Sequence, residues 1–272
     1  MACEIAQSIA SDETILYHDE NLANGANDKS YRYSGASNLV NNYICFGSNE
    51  ATCPEENLYR IIGVFDEKVL DETRESKYHV KLIKNTSIGE YRWSGSSSAS
   101  SENVWANSTF NTGTLNGTYL EGLGEEWTSK IVNHKWKVGG MSLNESATAK
   151  QYYETEVGAS SSSTTYEAKV GLMYVSDYGY GASQANWTTA LYNYNNNTNT
   201  SNNWLYSGME EWLISRTSGG HTYVFRVKSN GKVDNYLSYV EFRAEARLAF
   251  YLESNVVLSS GDGTLQNPYR IA

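Results

Sequence analysis

The sequence predicts an α+β fold, a single domain of mostly antiparallel sheet with about two helices. Three observations point there. Short runs rich in β-branched and aromatic residues recur along the chain, punctuated by Gly, Asn and Ser turns. Helical spacing is confined to a few segments. No composition shift divides the 272 residues, a length that fits one large domain.

Residues 1–30 read as an N-terminal helix and linker, and residues 31–272 as the main domain. Ile5, Ala6 and Ile9 share a helical face, and Ser11-Asp12-Glu13 supplies a break. Residues 21–30 form a polar loop. Residues 31–33 and 43–46 have strand composition, and 58–65 reads as a buried central strand. Residues 78–84 alternate with period two, which assigns Tyr78, Val80 and Leu82 to the core and His79, Lys81 and Ile83 to the other face. The charged stretch 66–76 is an exposed hairpin loop, and 94–103 and 158–165 are Ser-rich loops.

Leu115, Tyr119, Leu120, Leu123, Trp127 and Ile131 lie on one helical face, although Gly117, Gly122 and Gly124 weaken that helix. Residues 136–141 read as strand and turn, 170–175 as a buried strand, and 177–181 as a turn. Residues 183–194 carry Ser183 as an N-cap and Trp187, Leu191 and Tyr194 on one face. After an Asn/Thr loop at 195–203, the chain is strands and turns: 204–206, 211–215, 222–227 and 248–252 are extended. Asn230-Gly231 is a hairpin turn suited to positive φ at both positions. Residues 260–264 form another turn, and 268–271 an edge strand.

The net charge is −10, which argues against a nucleic-acid partner held through its phosphates. Charged residues are 19%, below the roughly 25% of an average domain, and polarity comes instead from 27 Asn, 22 Tyr and long Ser/Thr runs. Hydrophobic content of 40% excludes a disordered chain. No run reaches the ~18 apolar residues of a membrane span, and no basic-then-apolar leader opens the sequence, so neither a membrane helix nor a signal peptide is expected in it. Membrane attachment would need a segment absent from this sequence. Low charge with abundant Asn, Ser, Thr and Tyr points to an extracellular or cell-surface location.

Cys45 and Cys53 flank the turn formers Gly47, Ser48, Asn49 and Glu50, a loop short enough to bring them together. A disulfide there would stabilise by about 2.5 kcal/mol in the loop-entropy description; the alternative is two reduced thiols in a cytosolic protein. Cys3 is left over, free or paired elsewhere. No second Cys pair or His-x3-His completes a metal site. Phosphate-loop, nucleophile-elbow, zinc-protease and dinucleotide motifs are all missing. The four histidines are scattered; His79 reads as a strand's outer face and His134 as surface. Glu125-Glu126 and Glu210-Glu211 are adjacent and do not face one another. Asp177, Glu253 and Asp262 could offer oxygens to calcium, but acids at turns are usually turn formers. No catalytic residue, metal or cofactor is assigned.

The succession YRYSG, NNYICFGS, CPEENLYRIIGVFD and VKLIKNTSIGEYRWSG, followed by WKVGGMS, GLMYVSDYGYGAS, NNWLYSGMEEWLISR and FYLESNVVLSSGDGTLQNPYRI, resembles an uncharacterised extracellular surface domain of low-GC gut bacteria. The resemblance covers about residues 31–272. The late pattern of Trp-rich strand, variable hairpin, hydrophobic strand and Gly-Asp-Gly turn is similar to C-type-lectin-like folds, including the formylglycine-generating-enzyme type. Two departures stand out. The family's Gly-Val-Arg-Pro run is Glu245-Ala246-Arg247-Leu248 here, which keeps only the arginine. The late cysteine pair of the formylglycine-generating enzymes is missing, so their oxidase chemistry is not carried over.

The resemblance implies a C-type-lectin-like scaffold whose late hairpins display the ligand-binding side chains. Mapped onto this sequence, they are the loop 217–223 with His221 and Tyr223, then Arg226, Lys232, Asp234, Tyr236 and Tyr239. The ligand class would be an extracellular glycan or protein, because Tyr offers area at low entropic cost and Asn adapts its hydrogen bonds. Trp204 and Trp212 read as core. The expected function is a non-enzymatic ligand-binding or adhesion module. A structural pilus or surface-layer subunit and an enzyme on the same scaffold stand as alternatives.

Overall fold

In the computed structural model, the described residues are 1–8, 12–67, 76–94, 103–138, 141–158, 164–195, 198–218, 222–237 and 242–272. In chain order the strands are β1 (Ile15–Tyr17), β2 (Tyr31–Tyr33), β3 (Tyr43–Cys45), β4 (Leu58–Asp66), β5 (Tyr78–Lys84) and β6 (Glu90–Tyr91). There follow β7 (His134–Lys137), β8 (Thr165–Ala168), β9 (Val170–Leu172), β10 (Glu211–Arg216), β11 (Tyr223–Val227) and β12 (Val233–Leu237). The last are β13 (Ala244–Glu245), β14 (Leu248–Tyr251), β15 (Leu258–Ser260) and β16 (Arg270–Ile271).

The larger sheet runs β1-β2-β4-β5-β14-β9, with β3 also paired to β4. The second runs β12-β11-β10-β13-β6, and two ribbons, β7-β8 and β15-β16, complete the set. Among the described residues the named strands pair antiparallel except where β10 meets β13 at Glu211 and Glu245, and isolated parallel bridges join Ile44 to Tyr269 and Met141 to Thr217. The result is a mixed α and β protein with mostly antiparallel sheets. The first 30 residues supply β1 to the large sheet's edge, and Met1, Ile5 and Ile15 join the main core.

Strands β4 and β5 explain the centre. Leu58–Phe65 is buried at every position, as a near-continuous apolar run in a sheet covered on both faces should be. The same covering overturns the alternation expected for β5. His79, Lys81 and Ile83 are as buried as Val80 and Leu82, while Tyr78, expected in the core, is 44% exposed at the strand's start. Gly63 is required where β2 crosses β4: a Cβ there would sit 2.2 Å from the Tyr31 carbonyl oxygen, and the β4–β5 register slips by one residue at that point.

Helices are more numerous and shorter than expected. The face from Leu115 to Ile131 is broken into a π-helix (Phe110–Tyr119) and two single-turn helices (Leu120–Leu123 and Glu125–Thr128), with non-helical Gly117 and left-handed Gly124 at the breaks. Residues 177–181, read as a turn, belong to the fully buried helix Val175–Gly181. Residues 183–194, read as a helix, make two 3-10 turns instead, Gln184–Asn186 and Leu191–Asn193, and the Ser183 hydroxyl accepts no N-cap bond. Their apolar set is still internal: Trp187, Leu191 and Tyr194 are buried. Residues 204–206 turn rather than extend. The helix Ala149–Glu156 lay outside any expectation, yet it carries a capping signal: Thr148 N–H donates to the Gln151 side-chain oxygen at 2.9 Å. His134, read as surface, is buried with its ring 4.1 Å from that of Tyr251.

Candidate ligand-binding site

The fold turns its charges inward. Arg32 donates to Asp28 at 2.6 Å and to the Ser30 hydroxyl at 2.8 Å, and its guanidinium lies 4.6 Å from the Phe65 ring centre. Arg60 donates to the Asn42 side chain at 2.6 Å, the Ser37 hydroxyl at 2.7 Å and the Val40 carbonyl at 2.9 Å. Burial draws its guanidinium down to about 10, with Tyr43 acting upward and Arg247 downward. Arg247 grips Glu211 with two bonds, at 2.8 and 2.9 Å, a bidentate fork. Lys81 donates to Asp177 at 2.5 Å. Glu156 accepts from the backbone N–H groups of Val175 and Ser176 and from the hydroxyls of Ser176 and Ser215. These charged side chains are all buried, and each is held by internal hydrogen bonds: Arg32, Lys81 and Arg247 by carboxylates, Arg60 and Glu156 by neutral groups.

The late hairpin is assembled as a rim. Its turn has three residues, Ser229-Asn230-Gly231, closed by Lys228 N–H donating to the Lys232 carbonyl at 2.8 Å. Only Gly231 has positive φ (88°), so this is the bulged three-residue turn and not the two-residue turn expected at Asn-Gly. Tyr178 and Tyr206 hold the turn from below by donating to the carbonyls of Gly231 and Ser229.

Of the residues expected to form the ligand surface, the structure brings three together. Arg226 and Asp234 lie directly opposite on β11 and β12, as do Val224 and Tyr236, which puts Arg226, Asp234 and Tyr236 on one face. Arg226 is 2.8 Å from Asp234 and 3.2 Å from Glu210, and its guanidinium sits 4.2 Å from the Tyr236 ring centre and 4.9 Å from that of Phe242. Tyr236 is 38% exposed. Tyr223 is 40% exposed but alternates onto the opposite face, with Phe225. Lys232 is turned onto the Tyr192 ring. Thr217 is buried and donates its N–H to the Tyr223 carbonyl at 3.0 Å. His221 and Tyr239 lie outside the described residues, as does most of the loop between 217 and 223. The rim is therefore one aromatic-guanidinium stack with its charge already matched by Asp234 and Glu210.

A second surface is concave, and only its disulfide was foreseen. Cys45 and Cys53 are bonded, with Cα atoms 5.8 Å apart. The loop they close faces the C-terminal segment. There Tyr43 N–H donates to the Gly263 carbonyl, Tyr269 N–H to the Tyr43 carbonyl and Cys45 N–H to the Tyr269 carbonyl, all within 2.8–2.9 Å. Arg270 reaches across, its guanidinium donating to the Ala51 carbonyl at 3.1 Å and the Ser48 carbonyl at 3.5 Å. On one side of Arg270 is a cleft of about 460 Å³ lined by Thr52, Glu55, Asn85, Gln266 and Asn267 together with the apolar Leu58 and Leu265. On the other is a cleft of about 350 Å³ with Ser48, Asn49, Glu50, Ser259 and Ser260 beside Trp127. Both volumes fall in the range of small-molecule sites. Asp262 anchors the adjoining turn: Thr264 N–H donates to it at 3.0 Å and the Thr264 hydroxyl at 2.8 Å. The Thr264 N–H, then the Thr264 hydroxyl and the Asn267 side chain, hold that carboxyl below its usual range.

The acids considered for calcium serve separate tasks. Asp177 pairs with Lys81, and Asp262 builds a turn. Among the described residues no group of three or more His, Cys, Asp or Glu is placed to hold a metal ion. His79 is buried between the Leu252 carbonyl (2.7 Å) and Glu67 (3.3 Å) and not on an outer face. Likewise no described helix is long and apolar enough to cross a membrane. No protein-family model matches this chain, and comparison with the curated proteins and with the solved structures found no match.

Proposed function

We propose that this protein is a secreted or cell-surface ligand-binding module of a bacterium, on a C-type-lectin-like scaffold, that takes an extracellular glycan in the twin cleft around Arg270. The observation that carries the reading is the chemistry of that cleft. Asn85, Gln266, Asn267, Asn49 and a row of Ser and Thr hydroxyls both donate and accept, which suits vicinal hydroxyls. Leu265, half exposed at the cleft, offers an apolar surface for a sugar ring, with the buried Leu58 and Trp127 behind it. The disulfide and the C-terminal segment hold the walls before a ligand arrives, which lowers the cost of ordering on binding. The disulfide also suits an oxidising, extracellular setting. The Tyr236–Arg226–Phe242 stack is the second surface this reading allows.

A glycan array probed with the full chain, followed by titration of the hits, tests it. Expected is binding that is lost in Gln266→Ala/Asn267→Ala and kept in Tyr236→Ala. Loss in Tyr236→Ala alone moves the site to the rim. An array without hits, together with ordered self-assembly of the chain, would favour the structural-subunit reading.

A further inference from the structure

Lys81 and Asp177 meet in a setting that goes beyond an ion pair. Their side chains are 0% and 2% exposed, and Lys81 Nζ is 2.5 Å from Asp177 Oδ2. The ammonium lies among rings: 4.3 Å from the centre of Tyr174, 5.2 Å from Tyr251, 5.3 Å from Trp136 and 5.9 Å from Phe65. The other carboxylate oxygen of Asp177 faces Arg32 at 3.5 Å, and Tyr174 N–H donates to Oδ2 at 2.8 Å. Next to Asp177 is a small void of about 10 Å³ bordered by Arg32, Ser176 and Tyr174, room for about one water. The pair joins the central strand β5 to the buried helix Val175–Gly181.

We propose that Lys81 and Asp177 condense to an intramolecular isopeptide bond, a self-catalysed cross-link between β5 and that helix. The step balances without a co-reactant. A proton passes from the Lys81 ammonium to Asp177 Oδ2 across the short contact, leaving an amine and a carboxylic acid. The amine attacks Cγ, and the negative charge of the tetrahedral adduct gathers on Oδ1, opposite the Arg32 guanidinium. Oδ2 then leaves as water, taking a second proton from the nitrogen, into the adjoining void. One C–N bond forms, one C–O bond breaks, and no oxidation state changes.

The surroundings favour each stage. Burial pushes the Lys81 ammonium below its usual value, against the opposing pull of Asp177, which favours the neutral amine that a nucleophile must be. Glu156 acts electrostatically on the same lysine, and burial raises its own carboxyl despite bonds from Ser215, Ser176 and Val175. It is thus a second buried group able to hold a proton, linked to the site through Ser176. Fixed juxtaposition of the reacting atoms supplies the effective concentration that free amine and carboxylate lack in water. The inference is independent of the ligand reading.

The test is the intact mass of the full chain, reduced and denatured, followed by a proteolytic map. Expected is a mass one water below that of the reduced sequence, with a branched peptide joining the segments around 81 and 177. The conservative variant Lys81→Arg, which keeps a buried cation beside Asp177, should show the full mass. A wild-type chain of full mass with the two segments in separate peptides overturns the proposal. A missing water that persists in Lys81→Arg, or that maps to a cyclic imide at Asp262-Gly263, overturns it equally.

Discussion

Two arginine-carboxylate assemblies, one at the centre and one at the rim, use the same chemistry to different ends. At the centre, Arg32, Asp28, Lys81 and Asp177 have side chains no more than 3% exposed. At the rim, Arg226 is equally covered, at 6%, but its partners Asp234 and Glu210 are 18% and 33% exposed. A carboxylate that loses its cation at the rim can turn to water, whereas one at the centre cannot. The centre is therefore obligatory for the fold, and the rim is replaceable.

The largest expected effect follows directly. Lys81→Met should destabilise by about 3–5 kcal/mol, because it takes the nearest cation from a buried Asp177 and leaves only the more distant Arg32 to balance it. Arg226→Met should cost only about 1 kcal/mol, because both acids it abandons still reach solvent. Denaturant unfolding of both variants reads the difference, and equal losses would break the distinction. Gly63→Ala comes next, at roughly 2–4 kcal/mol, since its methyl would collide with the Tyr31 carbonyl where β2 pairs with β4. The same measurement on Gly208→Ala, where a Cβ meets no atom within 4 Å, should give a much smaller loss, set by its positive φ alone.

Removing the disulfide with Cys45→Ser/Cys53→Ser should cost about 2.5 kcal/mol by the loop-entropy description. It should weaken glycan binding more than Tyr236→Ala does, since it loosens a cleft wall and leaves the rim intact. His18 sharpens the comparison through pH. Burial, aided by Arg32 and opposed by Asp28, holds its ring at about 3, well below the ordinary 6.5. The unfolded chain therefore binds the proton more readily between those values. Stability should be full above pH ~6.5 and fall on acidification towards pH ~3, by about 1.4 kcal/mol per unit at most. His18→Leu should flatten that slope at the cost of the bond its Nδ1 accepts from Ala26 N–H. Titrated unfolding midpoints decide it. The smallest effect is Tyr236→Ala, a loss of stacking on Arg226 of about 1 kcal/mol or less.

The sequence was legible where local chemistry and burial agree. Residues 58–65 are apolar on both faces, and the strand they form is central. Cys45 and Cys53 are separated by turn formers, and they bond. It misled where tertiary covering overrides periodicity. The alternation of 78–84 is present, but both faces of β5 are covered, so Lys81 is internal because Asp177 arrives from a segment 96 residues away. That segment reads as a turn because Gly179 and Gly181 are poor helix formers. In the fold these glycines let the helix pack tightly: a Cβ at 179 would lie 2.6 Å from that of Ala149. The candidate site was half legible. Arg226, Asp234 and Tyr236 meet as alternation requires, but the cleft joins residues 48–55 to 259–271, a pairing no local pattern encodes.

The most direct test of the ligand reading is backbone hydrogen exchange on the full chain, with and without the glycan that the array selects. Protection is predicted at 48–55 and 262–270, on both walls of the Arg270 cleft, with the hairpin 223–237 unchanged. Protection confined to that hairpin, with the cleft walls exchanging as before, would contradict it.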